Sequence, residues 1–134
     1  MAGQWRHSRV YVTSSFGDCD AEREQFTRLV MPRVRRWARQ RRVHVEEVDM
    51  RGTEEETSSP ATTWATLQTR LAEVDRCDIF VAILGERYGF APKAYGVRGG
   101  DPDLEWVRRF PRQRSFLELE IARAVLNRPP HRAT

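Results

Sequence analysis

Asp78-Ile-Phe-Val-Ala-Ile-Leu-Gly85 decides the fold, because its interior is continuously apolar and turn-forming residues bound it on both sides. A run of this kind reads as a central parallel strand covered on both faces, and it is far shorter than the roughly 20 apolar residues of a membrane span. Just before it, Trp64, Leu67, Leu71 and Val74 fall three, four and three apart, which predicts an amphipathic helix. Ser59-Pro60 supplies that helix with an N-cap and a proline at its first position. Arg51 to Pro60 is polar, acidic and rich in Ser and Thr, hence a loop, and Val43 to Asp49 precedes it as a strand.

Arg9-Val-Tyr-Val-Thr13 alternates as a short strand does and then breaks into Ser14-Ser15-Phe16-Gly17-Asp18. From about Asp20 to Arg41, Phe26, Val30, Val34 and Trp37 are spaced to form the inward face of a helix, with Pro32 predicting a kink or two abutting helices. Arg87 to Arg114 is punctuated by Gly and Pro and reads as a long irregular excursion. Ser115-x-x-Glu118 has capping-box spacing and opens a last helix, with Leu117, Ile121, Ala124 and Val125 as its inward stripe and an end by Asn127. Strand and helix thus alternate three times. The expectation is an α/β domain with a parallel sheet of at least three strands, wound by right-handed crossovers. A doubly wound sheet usually has further strands, so the sheet reads as incomplete at the C-terminus. The expected boundaries are a tail at 1–8, the domain at 9–128 with its long loop at 86–114, and a linker at 129–134 to a downstream region.

The 134 residues suit one domain, and 10% aromatic residues supply a core despite 31% charged residues. No apolar N-terminal stretch resembles a signal peptide, and the expectation is a soluble, cytoplasmic chain without a membrane partner. Cys19, Cys77 and three scattered histidines match no zinc-ligand spacing, so no metal site is expected. Of the 23 basic residues, 22 are Arg and one is Lys93. Arginine suits phosphate, nucleotide and acidic-protein recognition alike. Arg33, Arg35, Arg36, Arg39, Arg41 and Arg42 form a basic run that the following acidic residues, Glu46 to Glu56, nearly cancel. Nucleic acid is therefore the less favoured partner, and a protein contact the more favoured one.

The signatures of phosphate-loop NTPases, Rossmann dehydrogenases and serine hydrolases are absent from the sequence. Ligands of open parallel sheets bind at the carboxyl ends of strands, so Thr13 to Asp18, Asp49 to Thr53 and Gly85 to Gly89 are expected to converge. Ser14 and Ser15 lead into a helix N-terminus, which favours an anion, although ordinary capping is the favoured reading of the same residues. The glycines of Gly85-Glu86-Arg87-Tyr88-Gly89 permit close approach, with Arg87 reaching an anion or, alternatively, bracing the loop together with Tyr88. Glu118 has the capping role. Glu120 lies on the flank of the helix stripe, where a carboxylate can border a cleft, and is the better catalytic candidate.

Val10-Tyr-Val-Thr-Ser-Ser-Phe-Gly-Asp18 with Ala21-Glu-Arg-Glu24, Val48-Asp-Met-Arg51, Thr53-Glu-Glu-Glu56, Ile83-Leu-Gly-Glu-Arg-Tyr-Gly89 and Ser115-x-x-Glu-x-Glu120 resemble, in order, a TIR-like domain family of unknown function. That family precedes NACHT ATPase and WD- or TPR-repeat modules in STAND-class signalling proteins, nephrocystin-like proteins and a telomerase-associated vault protein among them. The resemblance implies a flavodoxin-like three-layer fold and two possible roles. One is an N-terminal regulatory and protein-interaction domain that self-associates or docks on the downstream ATPase and repeat domains. The other is an NAD hydrolase, in which Ser14, Ser15, Arg51, Gly85, Arg87 and Tyr88 hold NAD or another nucleotide and Glu120, or by the other alignment Glu118, is catalytic. Gly52 stands where the family usually has a tryptophan, and the cysteine and tryptophan that often precede the TIR glutamate are missing, which weakens the hydrolase alternative.

Overall fold

Alternation organises the first strand, β1 (Arg6–Ser14), which turns Val10 and Val12 to one face of the sheet and Tyr11 and Thr13 to the other, burying all four. The computed structural model describes residues 3–15, 17–50 and 59–127. β1 begins at Arg6, within the segment read above as a tail. β2 (Val43–Asp49) and β3 (Ile79–Ile83) both pair with it in parallel, in the order β2-β1-β3. The fold is accordingly mixed α/β with a three-stranded parallel sheet, consistent with a flavodoxin- or TIR-like arrangement.

Among the described residues β1 is central and β3 lies at the edge, which corrects the reading of Asp78 to Gly85 as the central strand. Unbroken apolarity arose because both of its faces meet apolar partners, not because strands flank it on both sides. Phe80 stacks on Tyr11 on one face, while Val81 and Ile83 join Val10, Val12, Met31 and Ala38 on the other.

Helices α1 (Asp20–Gln25) and α2 (Met31–Arg39) are joined by a π-helical turn over Phe26–Val30, and Pro32 stands in the first turn of α2. The wider turn shifts the phase of everything that follows. Met31 and Ala38 therefore face the sheet, whereas Val34 is 37% and Trp37 57% exposed. The predicted inward stripe of Val30, Val34 and Trp37 points away from the core, and of that set only Phe26 packs toward it.

On the opposite face α3 (Pro60–Arg76) buries Trp64, Leu67, Leu71 and Val74 as the spacing predicts, capped by Ser59 through the Thr62 amide at 3.2 Å. The long connection after β3 contains a 3-10 turn, Pro102–Leu104, that runs into a short helix, α4 (Glu105–Arg109), and Tyr95, Leu104 and Val107 sink into the cluster built by α3. The Tyr95 hydroxyl bonds the carbonyls of Pro111 and Arg114 and accepts from the Arg114 amide, all within 3.2 Å, which fastens the loop to itself. α5 (Phe116–Ile121) continues through a second π-helical turn, Ala122–Leu126. Its inward residues are Phe116, Leu117, Leu119, Glu120, Ala122 and Ala124, while Ile121 is half-buried and Val125 exposed, a shift from the predicted stripe.

The rotated α2 can be checked by truncation. Met31→Ala should cost about 2–5 kcal/mol in chemical denaturation, and Val34→Ala less than about 0.5 kcal/mol. Equal costs would mean that the helix faces the sheet as the bare spacing suggests.

Candidate functional site

Two of the three loops expected to converge do so at the carboxyl ends of β1 and β3. The Ser15 hydroxyl donates to the Arg87 carbonyl at 2.8 Å, and the Arg87 amide donates to the Asp18 carboxylate at 2.8 Å. The glycines exist for this contact: a Cβ on Gly85 would collide with the Asp18 carboxylate, and Gly89, at φ +96°, backs onto Ser15. Ser14 and Ser15 do not cap α1. Its N-cap is Cys19, which has φ 58° and no side-chain cap bond. The Ser14 hydroxyl instead accepts from the Arg23 guanidinium at 3.3 Å. Arg23 is itself buried and lies 2.6 Å from the Asp49 carboxylate, drawing the end of β2 toward the same corner. Its Nε has no hydrogen-bond partner among the described residues. Arg51 lies outside the described residues.

Glu120 is placed differently from the cleft-bordering flank that its helix position suggested. It is 0% exposed, because α5 is rotated so that Leu119 and Glu120 face inward together. Its carboxylate accepts from the Tyr11 hydroxyl at 2.8 Å, the Thr13 hydroxyl at 2.6 Å and the Arg70 guanidinium at 2.6 Å. Arg70 also donates to the Met50 carbonyl at 3.0 Å, so a single buried charge ties together β1, α3, α5 and the end of β2. Burial first, and the Glu120 charge second, push the Tyr11 hydroxyl above its ordinary pKa, keeping it protonated as a donor.

Glu118, unlike Glu120, meets open space. It lines a cavity of about 500 Å³ between the β3 exit and α5, together with Gly85, Arg87 and Tyr88 and with apolar walls that include Leu117, Ile121 and Leu126. Two residues on a helix are about 200° apart, which is why Glu118 opens outward while Glu120 points into the sheet. The capping box is half-formed: the Ser115 hydroxyl accepts the Glu118 amide at 3.1 Å, but the Glu118 carboxylate takes the Tyr88 hydroxyl. Tyr88 in turn accepts from the Ser115 amide at 3.2 Å, filling the place that a reciprocal Glu118 bond would have had. Chemically, the cavity offers an apolar slot with two carboxylates, Glu86 and Glu118, one phenol and one arginine along its lining. Sequence spacing marked Glu118 as a capping residue and missed its place on the cavity wall, which depends on the rotation of α5.

The model of one protein family, a domain of unknown function designated DUF4062, matches residues 9–133. Telomerase protein component 1 of Rattus norvegicus is 36% identical over 126 residues, covering 92% of this chain and 5% of that protein. Its Mus musculus counterpart is 34% identical over 126 residues, again 92% of this chain and 5% of the relative. A TPR repeat-containing protein of Dictyostelium discoideum is 29% identical over 133 residues, 91% of this chain and 8% of the relative. This chain therefore spans under a tenth of the length of each of these relatives. No solved structure matches it.

Glu120→Ala removes the carboxylate that faces the buried Arg70 guanidinium and the Tyr11 and Thr13 hydroxyls and should cost about 3–5 kcal/mol in chemical denaturation, against less than about 1 kcal/mol for Glu118→Ala. The reverse ranking would place Glu120 at the surface. The clamp between the two loops should depend on pH through Asp18, whose carboxyl is held below its ordinary 3.8, chiefly by the Arg87 amide. A depressed carboxyl stabilises the fold above its unfolded pKa and loses that contribution as pH falls through the folded value. Asp18→Asn should flatten the acid limb of a stability profile below about pH 4; an unchanged limb would show the clamp to be indifferent to that charge.

Proposed function

The chain belongs to the DUF4062 family, and on that premise we propose that it is an N-terminal regulatory and protein-interaction domain of a STAND-type protein, coupled to a NACHT ATPase and to WD- or TPR-repeat modules. It works by contact. The observation that carries this reading is the apolar cavity of about 500 Å³ beside the β3 exit, rimmed by Leu84 and Leu126, which are 67% and 75% exposed. Apolar side chains gathered around one concave site, with a polar rim, are the make-up of a protein contact. The relatives add support of a general kind, since the matched region occupies 5% to 8% of them and one is described as TPR repeat-containing.

The buried Glu120 network supports contact over chemistry in a further way. Its buried carboxylate accepts from three donors on β1 and α3, which suits a role in holding α5 in place behind the cavity. A second reading, hydrolysis of NAD or another nucleotide, is favoured by one observation: Glu118 faces the cavity beside Tyr88 and Arg87, at the carboxyl end of the sheet. In that reading Glu118, rather than Glu120, meets the ribose.

Leu84→Asp and Leu126→Asp place charges on the cavity rim and should weaken capture of separately expressed NACHT or repeat modules by about tenfold or more, measured by calorimetry or pull-down. Unchanged capture, or no capture by the wild-type chain, sinks the interaction reading. Incubation with NAD at high protein concentration discriminates the second reading: nicotinamide release that Glu118→Gln abolishes would establish it, and no release would reject it.

A further inference from the structure

We infer that the outer face of α2 is a docking surface for an acidic amphipathic helix of a partner protein. The surface lies across the sheet from α5, so the inference goes beyond the cavity reading above and does not rest on it. Met31 and Ala38 fix the line of α2 that meets the sheet. Arg33 and Arg36 then stand about 200° and about 140° round the helix from Met31, turned away from the strands. Leu29, Arg33 and Trp37 follow one another at four-residue spacing, which makes them neighbours along one ridge. Leu29 is 58% exposed and Trp37 57%. Arg41 completes the ridge, with its guanidinium carbon 4.0 Å from the centre of the Trp37 ring and its Nη1 donating to the Trp37 carbonyl at 3.1 Å. From Leu29 to Arg41 the ridge runs for about 18 Å. A further strand beside β3, with a helix laid over it, would cover a flank of α2 and leave this outward ridge clear.

Arginine gives this ridge a charge that its neighbours leave unanswered. Arg33, Arg36 and Arg39 are exposed, and none has an ion pair among the described residues. The acids nearest in sequence are engaged elsewhere. Glu24 pairs with Arg28 at 2.8 Å and Glu46 with Arg9 at 3.4 Å. Glu47 accepts from the Thr27 hydroxyl at 2.8 Å, and Asp49 lies 2.6 Å from Arg23. A guanidinium fork takes a carboxylate through two parallel hydrogen bonds, and Arg and Trp are the residues that most often carry the binding energy of a protein interface. Arg33, Arg36 and Trp37 bring both kinds together on one turn.

The order of residues along the ridge selects a protein helix as its occupant. An anionic bilayer takes up apolar residues gathered on one side with cations at the margin. Here Arg33 lies between Leu29 and Trp37 and would be carried in with them. Single-stranded nucleic acid is held by successive aromatic platforms, and this ridge has one, already stacked by Arg41. A second copy of the same face would set arginine against arginine. A helix whose Asp or Glu residues recur three and four apart beside an apolar stripe meets both halves of the pattern. Its carboxylates reach Arg33 and Arg36 while its apolar side chains pack between Leu29 and Trp37, ridge into groove.

Calorimetric titration of the 134-residue chain with synthetic probes tests this. The first probe is a peptide of about 20 residues, roughly 30 Å of helix, with Glu three and four apart beside a Leu stripe. A scrambled peptide of the same composition, a single-stranded oligonucleotide and phosphatidylserine vesicles are the others. The patterned peptide should bind at least about tenfold more tightly than the scrambled one, and more weakly as salt is raised. Reversing both Arg33→Glu and Arg36→Glu should weaken it by about tenfold or more, and so should Trp37→Ala, with the melting temperature held because these side chains are exposed. Leu84→Asp and Leu126→Asp should leave peptide binding unchanged, which separates this surface from the cavity. No preference for the patterned peptide, indifference to either the double reversal or Trp37→Ala, or tighter binding of the oligonucleotide or the vesicles overturns the inference.

Discussion

One buried carboxylate governs how the layers of this domain meet. Placing an ion in a protein interior costs several kcal/mol unless its partners are close and complete, so the three donors around Glu120 are conditions on the fold as a whole. Tyr11 and Thr13 satisfy two of them because a strand sends alternate residues to one face. Arg70 satisfies the third from α3 while its other branch holds the Met50 carbonyl. Leu119, fully buried beside Glu120, and Phe116, which lies under the Arg70 guanidinium, keep water from the pair. A rotation of α5 by one residue would bury the charge without donors, so the network sets the azimuth of that helix as well as its position. Apolar packing alone would tolerate several azimuths.

That azimuth is what separates the two glutamates. Only Glu118 reaches the cavity, and it does so with its hydrogen-bonding capacity partly taken by Tyr88. The same tyrosine accepts the Ser115 amide, so the end of the loop leaving β3 is fastened to the start of α5. Rigid framing of an apolar slot by a buried ionic network suits recognition by shape, since a preformed contact surface loses little conformational entropy when it binds.

Local chemistry was legible in the sequence, and geometry set by distant residues was not. The three strands, the Ser59 cap, the buried line of α3 and the start of α5 at Ser115 depend on neighbours in the chain, and the structure places them where spacing predicts. The outward rotation of Val34 and Trp37 was hidden because a π-helical turn leaves no mark in the hydrophobic period until it has shifted it. The burial of Glu120 was hidden because its donors lie 50, 107 and 109 positions away. The edge position of β3 was hidden because apolarity on both faces records what covers a strand above and below, and is silent about what lies beside it.

The span of those pairings has a consequence for how the chain acquires its structure. β1 leaves the ribosome before the elements it pairs with, so Arg9 must wait 69 residues for Asp78 and Tyr11 must wait 109 for Glu120. Closing such distant contacts is the slow part of folding, and synthesis adds about 5–20 residues per second. For several seconds the nascent domain holds an apolar strand and an arginine on α3 with no counterion from α5. Chaperone dependence should therefore concentrate in the interval before α5 emerges, and codon changes that delay translation between β3 and α5 should reduce the yield of folded protein without altering a single side chain.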